Sequence, residues 1–482
     1  MILFGTGGIR GIMREGEFDE KTVAVASKGV AEYMKKEGLK KVLIAYDTRN
    51  NSEKFAKISA SVFAGEGMEV YIFDEPVPTP VLSYGVRKLK MDMGVVITAS
   101  HNPPEYNGYK VYTSNGVQAV PEVTDILSDL VEQAWNQPIN AIEKYSILGT
   151  DILDEYIDEL AELINADLRG LRVVYSALHG TGTRFVPRLL RKMGAEVIEV
   201  QEQMNHDGNF PTVKTPNPED NRALVLLRKY MEEHNVELGI ATDPDADRVG
   251  VVYKNVRLTG NQVGVILSDM LISEYVNKGN NKGMLIKTIV TTDMVKPMCE
   301  EHGIRLFEVP TGFKFIGDLV EKTPQYDFIF GFEESCGYLT GDMARDKDAV
   351  LACGLVAKAA KQFDLLERLD ALYKQYGYYF EKLLNFEFAS VTQALDVYSK
   401  LKSVELPEVK EVIDYSEGYD GVIPNETLLL DFENGKIFVR PSGTEPKMKA
   451  YVMVQTDSSE KSGNELDKLE KFMKDLVEKI KG

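Results

Sequence analysis

The chain reads as an α/β protein: three tandem, related α/β domains followed by a C-terminal α+β domain. Three observations predict this. Short apolar segments recur between helix-like segments over roughly the first 330 residues, and they fall into three sets of three. Polar residues sit where these segments end. The pattern changes after about residue 375, where alternating strand segments and a charged amphipathic helix take over. Strands alternating with helices imply parallel or mixed sheets covered on both faces.

The first set is "KVLIAYD" (41–47), "EVYIFD" (69–74) and "GVVITAS" (94–100). The second is "RVVYSAL" (172–178), "EVIEV" (196–200) and "LGIATD" (238–243). The third is "GMLIKTIV" (283–290), "RLFEVP" (305–310) and "FIFGFE" (328–333). Between the first two strands of each set lies room for one helix. "SEKFAKISASVFAGEG" and "TRFVPRLLRKMG" both read as helices that stop at a glycine. The tail predicts a strand, a helix, two alternating strand segments within "ETLLLDFENGKIFVRPSGTEPKMKAYVMVQT", and a final helix over "LDKLEKFMKDLVEKI". Boundaries near 140–150, 250–255 and 365–378 give domains 1–145, 146–253, 254–370 and 371–482.

Composition narrows the function classes. A chain of 482 residues with 44% hydrophobic and 9% aromatic residues can build several ordinary cores. Its net charge of −19 argues against general nucleic-acid binding, which needs clustered Lys and Arg, yet leaves room for a local anion pocket. Three cysteines, Cys299, Cys336 and Cys353, form neither a disulfide framework nor a zinc motif. "MILFGTGGIRG" lacks the pattern of a signal peptide, and no run of about 18 apolar residues is present. The expectation is a reduced, cytoplasmic protein without a membrane or nucleic-acid partner; its oligomeric state is left open.

Polar residues follow the strands at Asp47-Thr48-Arg49, Ser100-His101-Asn102, His179-Gly180-Thr181, Asp243 to Arg248, and Glu333-Glu334-Ser335. Ligand sites in open α/β sheets form outside the carboxyl ends of strands, so these loops suggest a site assembled between domains. In "ATDPDADRVG", Asp243, Asp245 and Asp247 alternate after an apolar strand. Converging carboxylates repel unless a cation joins them, and oxygen-only ligands suit Mg²⁺. An EF-hand would need Gly and Glu where Arg248 and Lys254 stand; an acidic turn closed by Pro244 is the plain alternative. "VRPSGTEPK" (439–447) offers Arg440, Ser442, Gly443 and Thr444 as a phosphate cradle, or as an ordinary hairpin loop.

"FGFEESCGY" (330–338) carries Glu333 and Ser335 at i, i+2, on one face if the segment is extended, a pair suited to vicinal sugar hydroxyls. Arg10 in "FGTGGIRG", Lys314 in "PTGFKF", and Arg345 and Lys347 in "ARDKDAV" are candidate anion contacts or solvated charges. Ser100 beside His101 invites a hydrolase reading. Neighbours in an extended segment point to opposite faces, and no G-x-S-x-G elbow surrounds the serine. A serine that carries a phosphoryl group explains more. Its oxygen needs a base, and Lys110, ten residues on, can fold back past turns at Asn102-Pro103-Pro104 and Asn107-Gly108.

Together these stretches resemble the α-D-phosphohexomutase family. "TASHNP" is similar to its phosphoserine loop, "DPDADR" to its metal loop, "GFEES" to its sugar-binding loop, "RPSGTEP" to its phosphate-binding loop and "FGTGGIRG" to its N-terminal segment, all in family order. The resemblance implies four domains around a central cleft that holds the active site. It implies that Ser100 carries phosphate, with His101 in the same loop, and that Ser100, Asp243, Asp245 and Asp247 bind Mg²⁺. Lys110 matches the general acid/base lysine, and Arg10 lies in the N-terminal catalytic motif. Arg248, Glu333, Ser335, Lys314, Arg345, Lys347, Arg440, Ser442, Gly443 and Thr444 become substrate contacts. Pro244 and Ala246 depart from the glycines of many members, and the positions of Lys314, Arg345 and Lys347 vary among subgroups.

The implied reaction interconverts hexose 1-phosphate and hexose 6-phosphate through a hexose 1,6-bisphosphate, which also serves as primer. "GFEES" is similar to the glucose-type loop; phosphomannomutases and dual-specificity members more often carry Gly-Glu-x-Ser-Gly-His, where Cys336 and Gly337 stand here. Glucose phosphates are therefore the expected substrates. Phosphomannomutase or bifunctional activity is the alternative, then phosphopentomutase, because "DPDADR" and "RDKD" also occur in pentose-active relatives. A non-catalytic sugar-phosphate sensor is the reading outside enzymes.

Overall fold

The computed structural model describes residues 8–403, 406–442 and 445–481. The chain forms two compact units, one of residues 1–271 with 312–365 and the other of residues 272–311 with 366–482.

The first unit opens with a six-stranded mixed sheet. Its order is Ile9–Ile12, Tyr106–Thr113, Met93–Ile97, Lys41–Tyr46, Glu69–Phe73, Ser146–Leu148. The three central strands run parallel, as the helical crossovers require, while Tyr106–Thr113 runs antiparallel to both its neighbours. Helix Glu20–Lys36 starts at Asp19, whose carboxylate accepts the Thr22 N–H at 2.8 Å. It packs against helix Pro121–Ala134 so closely that a Cβ on Gly29 would stand 2.6 Å from a Val131 methyl. Helix Ser52–Gly65 fills the first predicted crossover. Val42, Ile44, Phe63, Val95 and Ile97 lie in the core beneath.

A five-stranded sheet follows, ordered Val256–Leu258, Val249–Tyr253, Leu238–Thr242, Arg172–Ser176, Glu196–Glu199. Helix Gly182–Lys192 fills its first crossover. Strands Leu238–Thr242 and Val249–Tyr253 are antiparallel and pair Thr242 with Val249, so residues 243–248 form a hairpin connection. The unit also holds the hairpin of Asp327–Glu333 with Gly337–Leu339, and helices Phe313–Lys322 and Ala349–Gln362.

In the second unit, Gly283–Thr288 and Arg305–Val309 pair in parallel. The C-terminal part is an antiparallel sheet in the order Tyr378–Glu387, Lys447–Thr456, Gly435–Pro441, Leu428–Asp431, Glu411–Asp414. Helices Val391–Leu401 and Ser459–Lys481 cover a core that includes Val439, Val452 and Met473. The stretch 426–456 was expected to hold two strands and holds three. The chain turns at Glu433-Asn434, where Phe432 N–H donates to the Gly435 carbonyl at 2.9 Å, and Gly435 already belongs to the next strand. A two-residue connection between apolar alternations makes a hairpin, and this one splits the stretch into a third strand.

Candidate active site

The loop after Met93–Ile97 carries Ser100. Thr98 N–H donates to the Gly108 carbonyl at 3.1 Å, and the returning strand pairs Lys110 with Val96. Asn107 and Gly108 are therefore strand residues, not a turn; the reversal lies wholly within 100–105. Gly108 is needed for close approach, since a Cβ there would stand 2.5 Å from the Thr98 carbonyl oxygen and 2.8 Å from that of Ile9. Strand Ile9–Ile12 thus lies flush against it, with Arg10 opposite Gly108. Arg10 is exposed, and its Nη1 donates to Asn102 Oδ1 at 3.3 Å.

Ser100 has a left-handed backbone (φ 50°), a conformation that costs a non-glycine residue about 1–3 kcal/mol. Its N–H donates to Thr98 Oγ1 at 2.8 Å, and its hydroxyl donates to Asp243 Oδ2 at 2.6 Å. The same turn brings His101 Nδ1 within 3.1 Å of Ser100 Oγ, so the expectation that the two side chains diverge fails because the segment is not extended. Desolvation, then the nearby Arg248 and Arg10, hold the His101 imidazole well below its ordinary range and keep it neutral.

The three aspartates converge: one carboxylate oxygen from each lies within 4.8 Å of the others, and all three residues are buried. Asp243 Oδ1 closes its own loop by accepting the N–H groups of Asp247 at 3.0 Å and Arg248 at 2.9 Å. Asp245 Oδ2 accepts from Thr79 Oγ1 at 2.9 Å and from Lys110 Nζ at 3.1 Å. Asp247 Oδ2 lies 3.4 Å from Lys110 Nζ and 2.8 Å from Lys347 Nζ. Burial, then Asp247 and Asp245, raises the Asp243 carboxyl well above the carboxylate range. Burial pushes Asp245 the same way, but Lys110 and Lys347 outweigh it and hold that group below. Asp245 Oδ1 and Asp247 Oδ1 are buried without a hydrogen-bond partner. Orphaned carboxylate oxygens in an all-oxygen set that includes a serine hydroxyl fit a magnesium ion.

Glu333 ends the strand Asp327–Glu333, and its Oε1 accepts the Gly312 N–H at 2.9 Å. Burial, then the neighbouring Glu334, pushes its carboxyl up to about 7. Ser335 does not continue an extended segment as expected; it sits in the turn 334–336, where Cys336 has φ 65°. Lys347 packs its stem over Gly337, where a Cβ would meet Lys347 Cδ at 2.7 Å. Arg248 pairs with Glu219 at 2.7 Å. Lys314 is buried near the start of helix Phe313–Lys322, with Nζ 5.4 Å from the Phe315 ring centroid.

Arg345 is the exception. Its guanidinium is engaged by Glu321 Oε1 at 2.5 Å and by Asp342, the two acids that also pair with Arg87, rather than by the aspartate cluster. In the second unit, Arg440 lies opposite Lys449, and Ser442 N–H donates to the Lys447 carbonyl at 2.9 Å. Ser442 Oγ accepts the Glu445 N–H at 3.1 Å. Gly443 and Thr444 lie outside the described residues.

Three contributors went unassigned in the sequence. Thr79 anchors Asp245. Asp346 accepts from the buried Tyr112 hydroxyl at 2.6 Å and from its neighbour Lys347 at 3.4 Å. Arg49 stood out only as a polar strand-end residue, and nothing local marks its distant partners.

This fold and this cluster fall within one family. Models of phosphoglucomutase/phosphomannomutase match along the chain: α/β/α domain I over residues 1–137, domain II over 154–259, domain III over 259–376 and the C-terminal domain over 394–470. The chain belongs to this family, the α-D-phosphohexomutases, and is a mutase, an intramolecular phosphotransferase. Among its relatives, a phosphoglucomutase of Staphylococcus saprophyticus is 32% identical over 95% of this chain and 91% of its own length. A probable phosphomannomutase of Haemophilus influenzae is 35% identical over 89% and 91%. A probable phosphoribomutase of Schizosaccharomyces pombe is 32% identical over 95% and 88%. A family protein of Burkholderia thailandensis shares the fold with a TM-score of 0.79 at 21% identity, over 99% of this chain and 98% of that one. So, at 0.56 and 14% over 100% and 95%, does an N-acetylphosphoglucosamine mutase of Aspergillus fumigatus solved with GlcNAc-6P and magnesium. Among the described residues, no helix is long and apolar enough to cross a membrane, and the three cysteines are free and buried.

Proposed function

We propose that this mutase interconverts glucose 1-phosphate and glucose 6-phosphate, with phosphorylated Ser100 as the phosphoryl donor and acceptor and glucose 1,6-bisphosphate as intermediate and primer. The observation that carries the reading is the Ser100 hydroxyl 2.6 Å from Asp243 Oδ2, inside a cluster where Lys110 reaches the other two aspartates. Serine alone is a weak nucleophile, and this surrounding supplies both charge stabilisation and a proton relay. Asp243, Asp245 and Asp247, with an oxygen on Ser100, would hold Mg²⁺, which when bound offsets the negative charge of the transferring group.

In the first transfer the bond from Ser100 Oγ to phosphorus breaks, and a sugar hydroxyl oxygen forms the new one. The Lys110 ammonium gives a proton to the departing Ser100 Oγ, and the amine left behind takes the proton that leaves the sugar hydroxyl. The bisphosphate turns over, and the second transfer restores phosphate to Ser100. Arg10, His101 and Arg248 surround the reacting group; Glu333 and Ser335 grip sugar hydroxyls, with Lys314 and Lys347 beside them. Arg440, Ser442, Gly443 and Thr444 bind the far phosphate in either orientation. Arg345 enters this reading only if it leaves Glu321 and Asp342. The proposed domains are 1–145, 146–253, 254–370 and 371–482, although strand Ser146–Leu148 pairs in the first sheet and Val256–Leu258 in the second, each a few residues past the proposed limit; the cytoplasm is the proposed location.

The sugar is the finer question, because relatives at similar identity are named for glucose, mannose and ribose phosphates. Glu333 and Ser335 contact hydroxyls shared by glucose and mannose, so they discriminate poorly. The glucose choice rests on "GFEES" with Cys336 and Gly337 following. The test is kcat/KM for glucose, mannose, glucosamine and ribose 1-phosphates, each with a bisphosphate primer, since preference is a difference in transition-state binding. Glucose should lead. A mannose or ribose value tenfold higher, about 1.4 kcal/mol of preference, overturns the choice of sugar and leaves the mutase chemistry intact.

A further inference from the structure

The Ser100 loop turns its carbonyls inward onto one side chain. Arg49, only 3% exposed, follows the strand Lys41–Tyr46. Its Nη1 donates to the carbonyls of Pro103 at 2.9 Å and Tyr106 at 3.1 Å, and its Nη2 to those of Ser100 and Asn102, each at 2.5 Å. One guanidinium thus gathers four carbonyls from a seven-residue stretch. Asp47 orients it: Oδ1 accepts the Arg49 N–H at 2.9 Å and the Ser52 hydroxyl at 2.7 Å, and Oδ2 lies 3.4 Å from Arg49 Nε. The Phe210 ring covers the guanidinium at 5.1 Å. A Cβ on Gly208 would meet Asn50 N at 2.3 Å, so the covering segment lies hard against the Arg49 turn.

From this geometry we infer that Arg49 is a positioning residue for phosphoryl transfer: by fixing the carbonyls of residues 100–106 it holds Ser100 in its left-handed backbone with Oγ against Asp243. The inference rests on the proposed role of Ser100. A planar fork with donors on both Nη atoms suits several acceptors in fixed directions, whereas a lysine ammonium supplies the charge without that geometry. Misplacing a reacting atom by about 1 Å costs on the order of 100-fold in rate. The Arg49 Nη atoms are spent on loop carbonyls and none reaches Ser100 Oγ, so its loss is expected to leave substrate binding largely intact.

The test uses full-length Arg49→Lys and Arg49→Met, with Mg²⁺, a bisphosphate primer and the sugar 1-phosphate that wild type turns over best. The expected result for Arg49→Lys is a Tm near wild type, KM within about threefold and kcat lower by about 100-fold, with slower phosphorylation of Ser100 by intact mass. Arg49→Met should lose both stability and kcat. If Arg49→Met does not fold, Arg49→Lys carries the test. A fall in kcat of at least tenfold at unchanged KM supports the inference. A smaller fall, or lysine restoring kcat together with Tm, overturns it and leaves a purely structural ion pair. Ser100→Ala is assayed alongside: if it stays active, the reading of Ser100 fails; if it is inactive while Arg49→Lys is fully active, only the positioning role fails.

Discussion

Replacing Lys110 by Met separates electrostatic from catalytic roles. Lys110 is 2% exposed, and its ammonium lies 3.1 Å from Asp245 and 3.4 Å from Asp247. Removing one partner of a buried pair leaves uncompensated charge and costs about 3–5 kcal/mol. Thr79 still bonds Asp245 and Lys347 still pairs with Asp247, which argues for the lower end, about 3 kcal/mol. For the domain carrying this strand, that is roughly 6–12 °C in Tm. A divalent cation among the same carboxylates replaces the missing positive charge, so the loss should be large in chelator and much smaller in Mg²⁺. Activity behaves differently, because a methionine cannot move a proton: kcat should fall about 10²–10⁴-fold with saturating Mg²⁺. The assay pairs thermal melts with and without chelator with initial rates. A kcat within tenfold of wild type refutes Lys110 as acid/base, and an unchanged Tm in chelator refutes the charge balance.

Further outcomes follow from the same cluster. The Glu333 carboxyl is raised from 4.5 to about 7, so the folded protein binds this proton more tightly than the unfolded chain. Stability should therefore decline as pH rises from 4.5 toward 7 and then level, and Glu333→Gln should flatten that slope in Tm-against-pH curves while raising KM; parallel curves would contradict it. Chelation should abolish turnover and Mg²⁺ restore it, and Asp245→Asn should raise the Mg²⁺ concentration needed for half-activity. Full activity in excess chelator would exclude a metal-dependent mechanism.

The residues that converge here differ in how visible they were. Asp243, Asp245 and Asp247 announce themselves because one hairpin connection carries all three, and local spacing suffices to bring them together. Lys110 was reached by the right fold-back through the wrong turn: Asn107-Gly108 looks like a reversal, yet Gly108 serves the close approach of Thr98 and Ile9. Gly or Asn in a sequence does not tell turn from close contact; only the neighbouring backbone does. Arg49 and Thr79 act across 50 to 170 residues of chain, on carbonyls and on an aspartate, and carry no local pattern. Arg345 shows the converse: its motif position suggests the substrate, while Glu321 and Asp342, distant or unremarkable in sequence, engage it in the fold.

The central claim is that Ser100 carries the transferred phosphate, and single-turnover transfer tests it most directly. Protein incubated with radiolabelled bisphosphate and Mg²⁺, then freed of sugar, should hold one acid-stable phosphate on Ser100 by mass mapping. Adding unlabelled sugar monophosphate should move that label to the sugar at a rate no slower than kcat, and Ser100→Ala should take up none while still binding the sugar phosphate. Label on another residue, or an active Ser100→Ala enzyme, would contradict the account.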